Sequence, residues 1–370
     1  KNDKPDNSVL TRKKPGRSRL ILSKIDAAYD PKTDLAFAPS CFSHAEDVYP
    51  EWHTLEFVDA FDTNEKLLEA DRLSRRLANR YVAIWADKLN QKHATSHSLE
   101  YWRFVLINWL LTSIQELWMR FLHTQSLISK NGKDDFSVEV SPLDPPLRPY
   151  GFWDFFHQQL YSPRFDFWIS SLIVRKLAPP NWQILEPSDI AAWNEPEDDE
   201  QFPKPNILGK QSFLGKIVRS MFGRFAFDSV PGATFEKVLF SLYLNLLPKK
   251  GRGRTYFRFD DDQVLTEFPK EFFEILDQFL EATIPIAYDT GFRELEEKAA
   301  LEKVVPGRLF IGNLMPSDEL KRLVLARALE AGERFITVQH GSNPGVTSLV
   351  CWSVEFEYPY HAYLTWGWRE

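Results

Sequence analysis

The sequence predicts an α/β fold, in which a parallel sheet is combined with a large helical insertion. Two patterns carry this prediction. Between residues 308 and 338 a strand-like run, a helical period and a second strand-like run follow one another, as in a βαβ unit. From Asn64 onwards the apolar residues recur every four positions, which predicts long helices between the first strands and this unit.

The composition is that of a globular chain with a sizeable core. Of the 370 residues, 44% are hydrophobic and 14% aromatic, a content that argues against disorder. The net charge of −7 shows no basic excess, so we expect no nucleic-acid partner. Cys41 and Cys351 cannot form a disulfide framework, and no apolar run reaches the roughly 18 residues of a membrane-spanning helix. Together these features predict a cytoplasmic protein.

Residues 1–63 are expected to form a basic arm and the first strands of the α/β domain. Lys1–Arg19 is rich in Lys, Arg, Pro and Asn and has little to bury. Three short strands are predicted after it, at Arg19–Leu22, Leu35–Ala38 and Thr54–Val58.

Residues 64–205 are expected to form the helical insertion. The first helix carries an apolar stripe, and the second, Leu99–Leu122, is apolar nearly all round with Ser96 or Ser98 as its N-cap. Ser137–Pro149 is punctuated by proline and predicts a loop. Ala178–Pro205, with the acidic run at 195–200, predicts an exposed linker that ends the insertion. The stripe of the first helix consists of Leu73, Leu77, Tyr81, Trp85 and Leu89.

Residues 206–370 are expected to complete the α/β domain. The sheet is predicted to use strands near Leu35, Leu309, Phe335 and Tyr363. Because the chain stops directly after an apolar, strand-like stretch, we expect it to be a fragment of a longer protein. The predicted elements are a helix at Phe268–Ala282, a strand at Arg308–Gly312, a helix at Ser317–Ala331 capped by Ser317 and stopped by Gly332, and strands at Phe335–Val338 and Ala362–Trp366.

His340 is the first candidate for chemistry. It follows the strand Phe335–Val338 and Gln339, and ligands of α/β sheets bind beyond the carboxyl ends of the strands. Its imidazole titrates near neutral pH, so it can donate to a phosphate or act as acid or base. The alternative is a histidine that only satisfies carbonyls at a strand end. The turn from Gly341 to Gly345 offers an anion nest or simply a tight turn, and it matches no phosphate-loop motif.

Glu355 and Glu357 alternate in SVEFEYPY and would point the same way on a strand. Paired carboxylates can divide acid and base duties, or one can act as a nucleophile; the alternative is a solvated pair.

His93 and His97 stand at i and i+4 without a third ligand, so we predict no metal site. A polar pocket lined by His93, Ser96, Ser98, Tyr101 and Arg103 competes with helix capping as an explanation of that stretch. The basic loop with Lys249, Lys250, Arg252 and Arg254 either reaches phosphates or is solvated.

The block LNQKHATSHSLEYWRFVLINWL at Leu89–Leu110 places Asn, His, Ser and Tyr-Trp-Arg on a predicted long helix. In this pattern the sequence resembles a family of bacterial surface-carbohydrate (O-antigen) transferases. The second block runs from Val338 to Trp368 and combines VQHGSNPG, the acidic pair and YLTWGW. LAFAPSCF near Leu35 resembles the family's opening strand and turn.

The resemblance implies one Rossmann-like half of a GT-B fold, distantly similar to Kdo transferases, with a second half after Glu370. It implies a glycosyltransferase that moves a sugar from a nucleotide-activated donor to a surface polysaccharide or lipid-linked glycan, without a further cofactor. Peripheral contact with the inner membrane stays open. The residues that match the family's motifs by position are His93, Ser98, Tyr101, Trp102, Arg103, Gln339, His340, Gly341, Gly345, Glu355 and Glu357, and the chain departs from the pattern at Ser342, Asn343 and Pro344. We expect His340, Glu355 and Glu357 to be catalytic. The residues expected to bind substrate are His93, Ser98, Tyr101, Arg103, Gln339, Gly341, Ser342 and Gly345.

Two other functions fit the same sequence. A non-catalytic glycan-binding or scaffold protein would use its aromatic residues to stack on sugars and would leave the acidic pair without a chemical role. A phosphotransferase acting on a CDP-polyol would keep the fold and change the donor.

Overall fold

The computed structural model describes residues 17–43, 48–145, 148–160, 162–186, 225–228, 258–302, 309–312, 318–339, 353–357 and 362–365. Its strands form two four-stranded parallel sheets, with the orders β2-β1-β3-β4 and β5-β6-β7-β8. The strands of the first sheet are β1 Ser18–Ile21, β2 Leu35–Ala36, β3 Phe136–Glu139 and β4 Gln183–Leu185. Those of the second are β5 Phe225–Asp228, β6 Leu309–Gly312, β7 Arg334–Val338 and β8 Ala362–Leu364.

The helices pack against both sheets, and the α/β class predicted from the sequence is confirmed. None of the helices in the described ranges has both the length and the apolar character that crossing a bilayer requires. The helices are α1 Asn64–His93, α2 Leu99–Asn131, α3 Phe152–Asp154, α4 Pro163–Leu177, α5 Lys270–Thr283, α6 Phe292–Ala300 and α7 Glu319–Glu330. Short 3-10 turns lie at Pro39–Phe42, Pro50–Thr54, Asp262–Thr266 and Ile286–Tyr288, and turns of π type at Phe155–Gln159 and Ser353–Glu357.

The two long helices α1 and α2 form an antiparallel hairpin at the centre of the structure. All five residues of the predicted stripe of α1 are buried, and α2 is buried on every face from Tyr101 to Ile114, as its sequence predicts. Ser98 caps α2 by accepting a hydrogen bond from the backbone N–H of Tyr101 at 3.2 Å, which settles the choice left open between Ser96 and Ser98. Among the described residues, the hairpin is therefore the scaffold on which the other long helices pack.

The core consists of two clusters that α2 connects. The N-terminal part of α2 packs with α1, α5 and α7, and Phe335 of β7 belongs to the same cluster. Near the other end of α2, Leu127 packs against Phe136 and Val138 of β3 in the cluster beneath the first sheet. Burial of these side chains accounts for most of the favourable free energy of folding.

The predicted βαβ unit is confirmed as β6, α7 and β7. β6 pairs in parallel with β7, with Phe310 opposite Phe335. The cap of α7 is Asp318, whose carboxylate accepts from the backbone N–H of Lys321 at 2.8 Å; Ser317, the predicted cap, lies outside the described residues. Gly332 ends the helix with a φ of 86°, a conformation that glycine adopts at little cost.

The prediction of a single sheet is wrong. The strand at Leu35–Ala36 pairs with β1 in the first sheet, where Leu20 lies opposite Leu35, whereas β6, β7 and β8 belong to the second. β2 has only two residues and follows β1 in the chain after residues 22–34, and strands that follow one another in sequence tend to pair.

Three local predictions also need correction. Phe136–Glu139, which overlaps the start of the predicted loop, is a strand that alternates buried and less buried residues; the prolines that follow it dominated the sequence pattern. Gln183–Leu185, within the predicted linker, is an edge strand. Thr54–Val58 is not a strand, because Pro50 starts a 3-10 turn that runs to Thr54. Residues 64–205 thus contribute strands as well as helices, and the predicted domain boundaries stay predictions.

Replacement of Ala94 by glycine is expected to stabilise the fold. Ala94 ends α1 in the left-handed region with φ 55°, which disfavours an L-residue by roughly 1–2 kcal/mol while glycine loses about 0.5–1 kcal/mol in chain entropy. Ala94→Gly should therefore raise the free energy of unfolding by up to about 1 kcal/mol, measured by urea denaturation. Ala83→Gly, the same change inside α1, should lower it by about 1 kcal/mol. Destabilisation by both changes would contradict this account of the α1 terminus.

Candidate functional site

A cavity of about 670 Å³ lies between α1, the segment before α5 and the turn Ser353–Glu357. Four arginines and three carboxylates line it, so its walls combine strong cationic and anionic groups. The arginines are Arg72, Arg75, Arg76 and Arg258, and the carboxylates belong to Asp261, Glu267 and Glu355.

The side of α1 that faces the cavity is polar for a simple geometrical reason. Arg72, Arg75, Arg76 and Asn79 stand at i, i+3, i+4 and i+7, the spacing that aligns side chains along one face of a helix. The buried stripe that begins at Leu73 lies on another face of the same helix. One helix therefore supplies both a core surface and a row of guanidinium groups.

Glu355 is held in the cavity wall by a buried polar network. Its Oε2 accepts hydrogen bonds from Asn79 Nδ2 at 2.8 Å and from Arg103 Nη2 at 2.9 Å. Arg103 also donates through Nε to Asn79 Oδ1 at 3.1 Å and through Nη2 to the backbone carbonyl of Glu355. The side chains of Arg103 and Glu355 are only 4% and 8% exposed. Oε1 of Glu355 lies 3.7 Å from Arg75 Nη1, so Oε1 is the oxygen on the cavity side.

The turn Ser353–Glu357, here called the acidic turn because it carries Glu355 and Glu357, lies against the carboxyl end of β7. Thr337 Oγ1 donates to the backbone carbonyl of Glu357 at 2.7 Å, and the Phe356 ring packs 5.2 Å from that of Phe104. Gln339, one residue past β7, is buried, and its backbone N–H donates to the carbonyl of Leu364 at 2.9 Å. The turn thus occupies the end of a parallel sheet at which α/β proteins bind ligands.

The prediction that Glu355 and Glu357 alternate on a strand is wrong. Ser353–Glu357 is a helical turn of π type, and side chains two positions apart on a helical turn do not face the same way. Glu355 lines the cavity, whereas Glu357 is 2% exposed and is not part of the lining. The two carboxylates therefore occupy different environments.

Asp261 and Arg76 form a two-point ion pair at the rim. Arg76 donates to Asp261 through Nε at 2.8 Å and through Nη2 at 3.2 Å. This hydrogen bonding holds the pKa of the Asp261 carboxyl below its usual range. The cavity therefore carries fixed opposite charges at neutral pH.

His93, Ser98 and Tyr101, predicted to bind substrate, lie instead at the corner that joins α1 to α2. His93 Nε2 is 3.1 Å from the carbonyl oxygen of Tyr288, and burial lowers the pKa of this histidine. Tyr101 is fully buried and donates to Glu296 Oε2 at 2.9 Å. These contacts connect helices, and the assignment of the three residues to substrate stays a prediction.

His97 completes this corner. Its ring stacks on Tyr101 at 3.8 Å between centroids, with Nε2 3.2 Å from Glu296 Oε1 and Nδ1 3.0 Å from Glu330 Oε2. Burial acts to lower the pKa of His97, but the hydrogen bonds to the two carboxylates outweigh it and raise this pKa above its ordinary value. Arg327 also pairs with Glu296. The His97 ring thus ties the α1–α2 corner to α6 and α7 through Glu296 and Glu330.

Several predicted residues lie outside the part of the chain that the structure describes. These residues are His340, Gly341, Ser342, Gly345 and the four basic residues of the loop at 249–254.

In the described part of the chain, no three His, Cys, Asp or Glu side chains lie close enough together to hold a metal ion.

The arginine face of α1 was missed by the sequence analysis, although the sequence contains the signal for it. From the sequence, only the apolar stripe of this helix was considered, and no role was assigned to Arg72, Arg75 and Arg76. The helical spacing of the three arginines and Asn79 predicts that they share one face of α1, but it does not show whether that face lines a cavity.

One comparison with known proteins gives a family. The family model described as LIC12162 family transferase matches residues 18–370. Comparison with the curated proteins found no match, and comparison with the solved structures found none.

Removal of Arg103 is expected to be strongly destabilising. Loss of one partner from a buried ion pair typically costs about 3–5 kcal/mol, so Arg103→Met should lower the free energy of unfolding by about that amount in urea denaturation. Arg75→Met removes a guanidinium that is 28% exposed and 3.7 Å from Glu355, and should cost about 1 kcal/mol or less. Equal losses in the two variants would contradict the role given to Arg103.

His97 is expected to make stability depend on pH. Because its folded pKa is raised, its contribution is fully present below the unfolded value of about 6.5 and is lost as the pH rises through the folded pKa. His97→Gln should cost about 1.5–3 kcal/mol at pH 6 and progressively less towards pH 9, measured by denaturation at each pH. His53→Gln, which changes an exposed ring, should show no such trend. A cost of His97→Gln that grows with pH would overturn the assignment.

Proposed function

We propose that this chain, which belongs to the LIC12162 family of transferases, is a glycosyltransferase that uses a nucleotide-activated sugar. The observation that carries the proposal is the position of Glu355, whose carboxylate lines a cavity together with four guanidinium groups. Nucleotide sugars bring a phosphate-linked leaving group and need a base for the acceptor hydroxyl. The cavity offers groups suited to both tasks.

The arginines are suited to the leaving group. Guanidinium groups bind phosphate oxygens in a planar, two-point geometry. As the bond between the sugar and the phosphate breaks, the leaving nucleoside phosphate keeps the bonding electron pair and gains negative charge. Arginines fixed on the rigid face of α1 stabilise that charge without having to reorganise.

Glu355 is suited to the role of general base. Asn79 and Arg103 hold one of its oxygens, and the other is on the cavity side. In the proposed step an acceptor hydroxyl oxygen forms a bond to the anomeric carbon while its proton passes to Glu355. Glu357, buried and outside the cavity lining, is not assigned this role, although the sequence pattern favoured both residues.

The remaining parts of the proposal follow the resemblance found in the sequence. Two parallel sheets with packed helices support a Rossmann-like, GT-B-type architecture. The acceptor that we propose is a surface polysaccharide or lipid-linked glycan, built on the cytoplasmic side of the inner membrane. A CDP-polyol donor carries a diphosphate as well, so the same arginines would serve a polyol phosphotransferase, and the choice of donor in the assay separates the two.

Glu355→Gln is expected to lower turnover per folded molecule by about 10²–10⁴-fold, because proton transfer is lost. It also leaves Arg103 without its buried charged partner, so the variant should be less stable and its folded fraction is measured alongside turnover. The full chain is incubated with radiolabelled UDP- and CMP-sugars and with CDP-glycerol, and both donor hydrolysis and transfer to glycan are measured. Glu357→Gln is the matched control and should retain most of the turnover.

Two results would contradict the proposal. Unchanged turnover in a folded Glu355→Gln variant would remove Glu355 from the mechanism. If the wild type binds glycan but neither hydrolyses nor transfers any donor, the non-catalytic glycan-binding function is favoured instead. Release of CMP from CDP-glycerol alone would identify the polyol phosphotransferase.

A further inference from the structure

Glu267 bridges two arginines of the cavity. Its Oε1 lies 2.6 Å from Arg76 Nη1, and its Oε2 lies 3.8 Å from Arg72 Nη2. Because the two arginines are one helical turn apart on α1, a single anionic group can contact both guanidinium groups at once. The structure therefore contains an anion subsite whose present occupant is a side chain of the same protein.

A phosphate group is a better occupant of such a subsite than a carboxylate. Arginine forms the same two-point hydrogen bonds with both groups, but a phosphate offers three oxygens and up to about two negative charges. Two further guanidinium groups, those of Arg75 and Arg258, line the same cavity. The combination favours a ligand with two linked phosphates over one with a single phosphate.

Glu267 can leave this subsite without a change in the backbone. It directly follows the 3-10 turn Asp262–Thr266, and its backbone N–H remains bonded to the carbonyl of Val264 at 3.1 Å. Its side chain is 29% exposed, and those of its partners Arg76 and Arg72 are 24% and 46% exposed. Ion pairs in such contact with water contribute little to stability. A rotation of the Glu267 side chain towards solvent is sufficient.

Asp261 differs from Glu267 in this respect. It engages Arg76 through both of its oxygens and is only 11% exposed. It can therefore keep Arg76 oriented while Glu267 moves. Arg72 is oriented by Glu69, which accepts from Arg72 Nε at 2.8 Å and from Nη2 at 2.6 Å. This Nη2 is also the atom that lies 3.8 Å from Glu267.

We infer that Arg72 and Arg76 form a subsite for the diphosphate of a nucleotide donor, and that the Glu267 carboxylate occupies this subsite until the diphosphate displaces it. The inference rests on the proposed function and adds a competing internal ligand to it. Glu267 would lower the affinity for diphosphate and favour donors that carry two phosphates over donors that carry one.

The test measures binding of inorganic pyrophosphate and inorganic phosphate to the full chain by isothermal titration calorimetry at low salt. Glu267→Gln keeps the size of the side chain and removes the competing charge, so the Kd for pyrophosphate should fall about five- to tenfold. Arg72→Gln should raise it about tenfold. Asp262→Asn is the control for net charge. It removes an exposed carboxylate that pairs with Arg80, which lies on α1 like Arg72 and Arg76, and that does not line the cavity. This variant should change the Kd for pyrophosphate by less than about twofold.

Each alternative outcome overturns the inference. An equal gain in Glu267→Gln and Asp262→Asn would reduce the effect to overall charge. An unchanged Kd in Arg72→Gln, equal affinities for phosphate and pyrophosphate, or no pyrophosphate binding by any variant would remove the subsite. The test needs no turnover: displacement of Glu267 without sugar transfer would retain the subsite and reject the glycosyltransferase, and sugar transfer without an effect of Glu267→Gln would do the reverse.

Discussion

The buried ion pair between Arg103 and Glu355, completed by Asn79, is the constraint on which the site depends. It joins the central hairpin to a turn about 250 positions later in the chain. Two charges so far from water are tolerated only when each is paired and hydrogen-bonded, and Arg103 meets this condition by binding both the carboxylate and the backbone carbonyl of Glu355. The turn can therefore occupy only one position relative to α1, and that position creates one wall of the cavity.

The corner between α1 and α2 sets the geometry of this ion pair. Asn90 Oδ1 accepts hydrogen bonds from Thr95 Oγ1, from the backbone N–H of His97 and from Trp102 Nε1, at 2.8 to 3.1 Å. One amide oxygen thus fixes the path of the loop and the first turn of α2, and with them the direction in which Arg103 leaves the helix. The block of sequence that resembles the transferases is accounted for mainly by this corner, and Arg103 is the member of it that extends to the cavity.

The sequence was most informative where one face of an element is apolar and the element is long. The stripe of α1, the burial of α2, a cap of α2 at Ser96 or Ser98 and the unit β6–α7–β7 were all predicted, because local period and capping determine them. The partner of a strand is a different matter. Leu35–Ala36 is apolar in either sheet, and only the three-dimensional arrangement decides that it pairs with β1. Phe136–Glu139 has too few residues to display its alternation against the loop signals around it.

The cavity shows why functional sites are harder to predict than cores. A leucine side chain can be buried against almost any apolar neighbour, so the periodicity of apolar residues in the sequence is sufficient to predict its burial. A binding face needs a particular partner, and here the partners of the α1 arginines come from residues 258–267 and 353–357. The arginine spacing on α1 states that a polar face exists, but whether the face is solvated or opposes an acidic turn depends on where distant segments pack. Glu355 provides this information in the structure. Its burial beside Arg103 places the turn Ser353–Glu357 over α1, so that the row of arginines lines a cavity instead of facing only solvent.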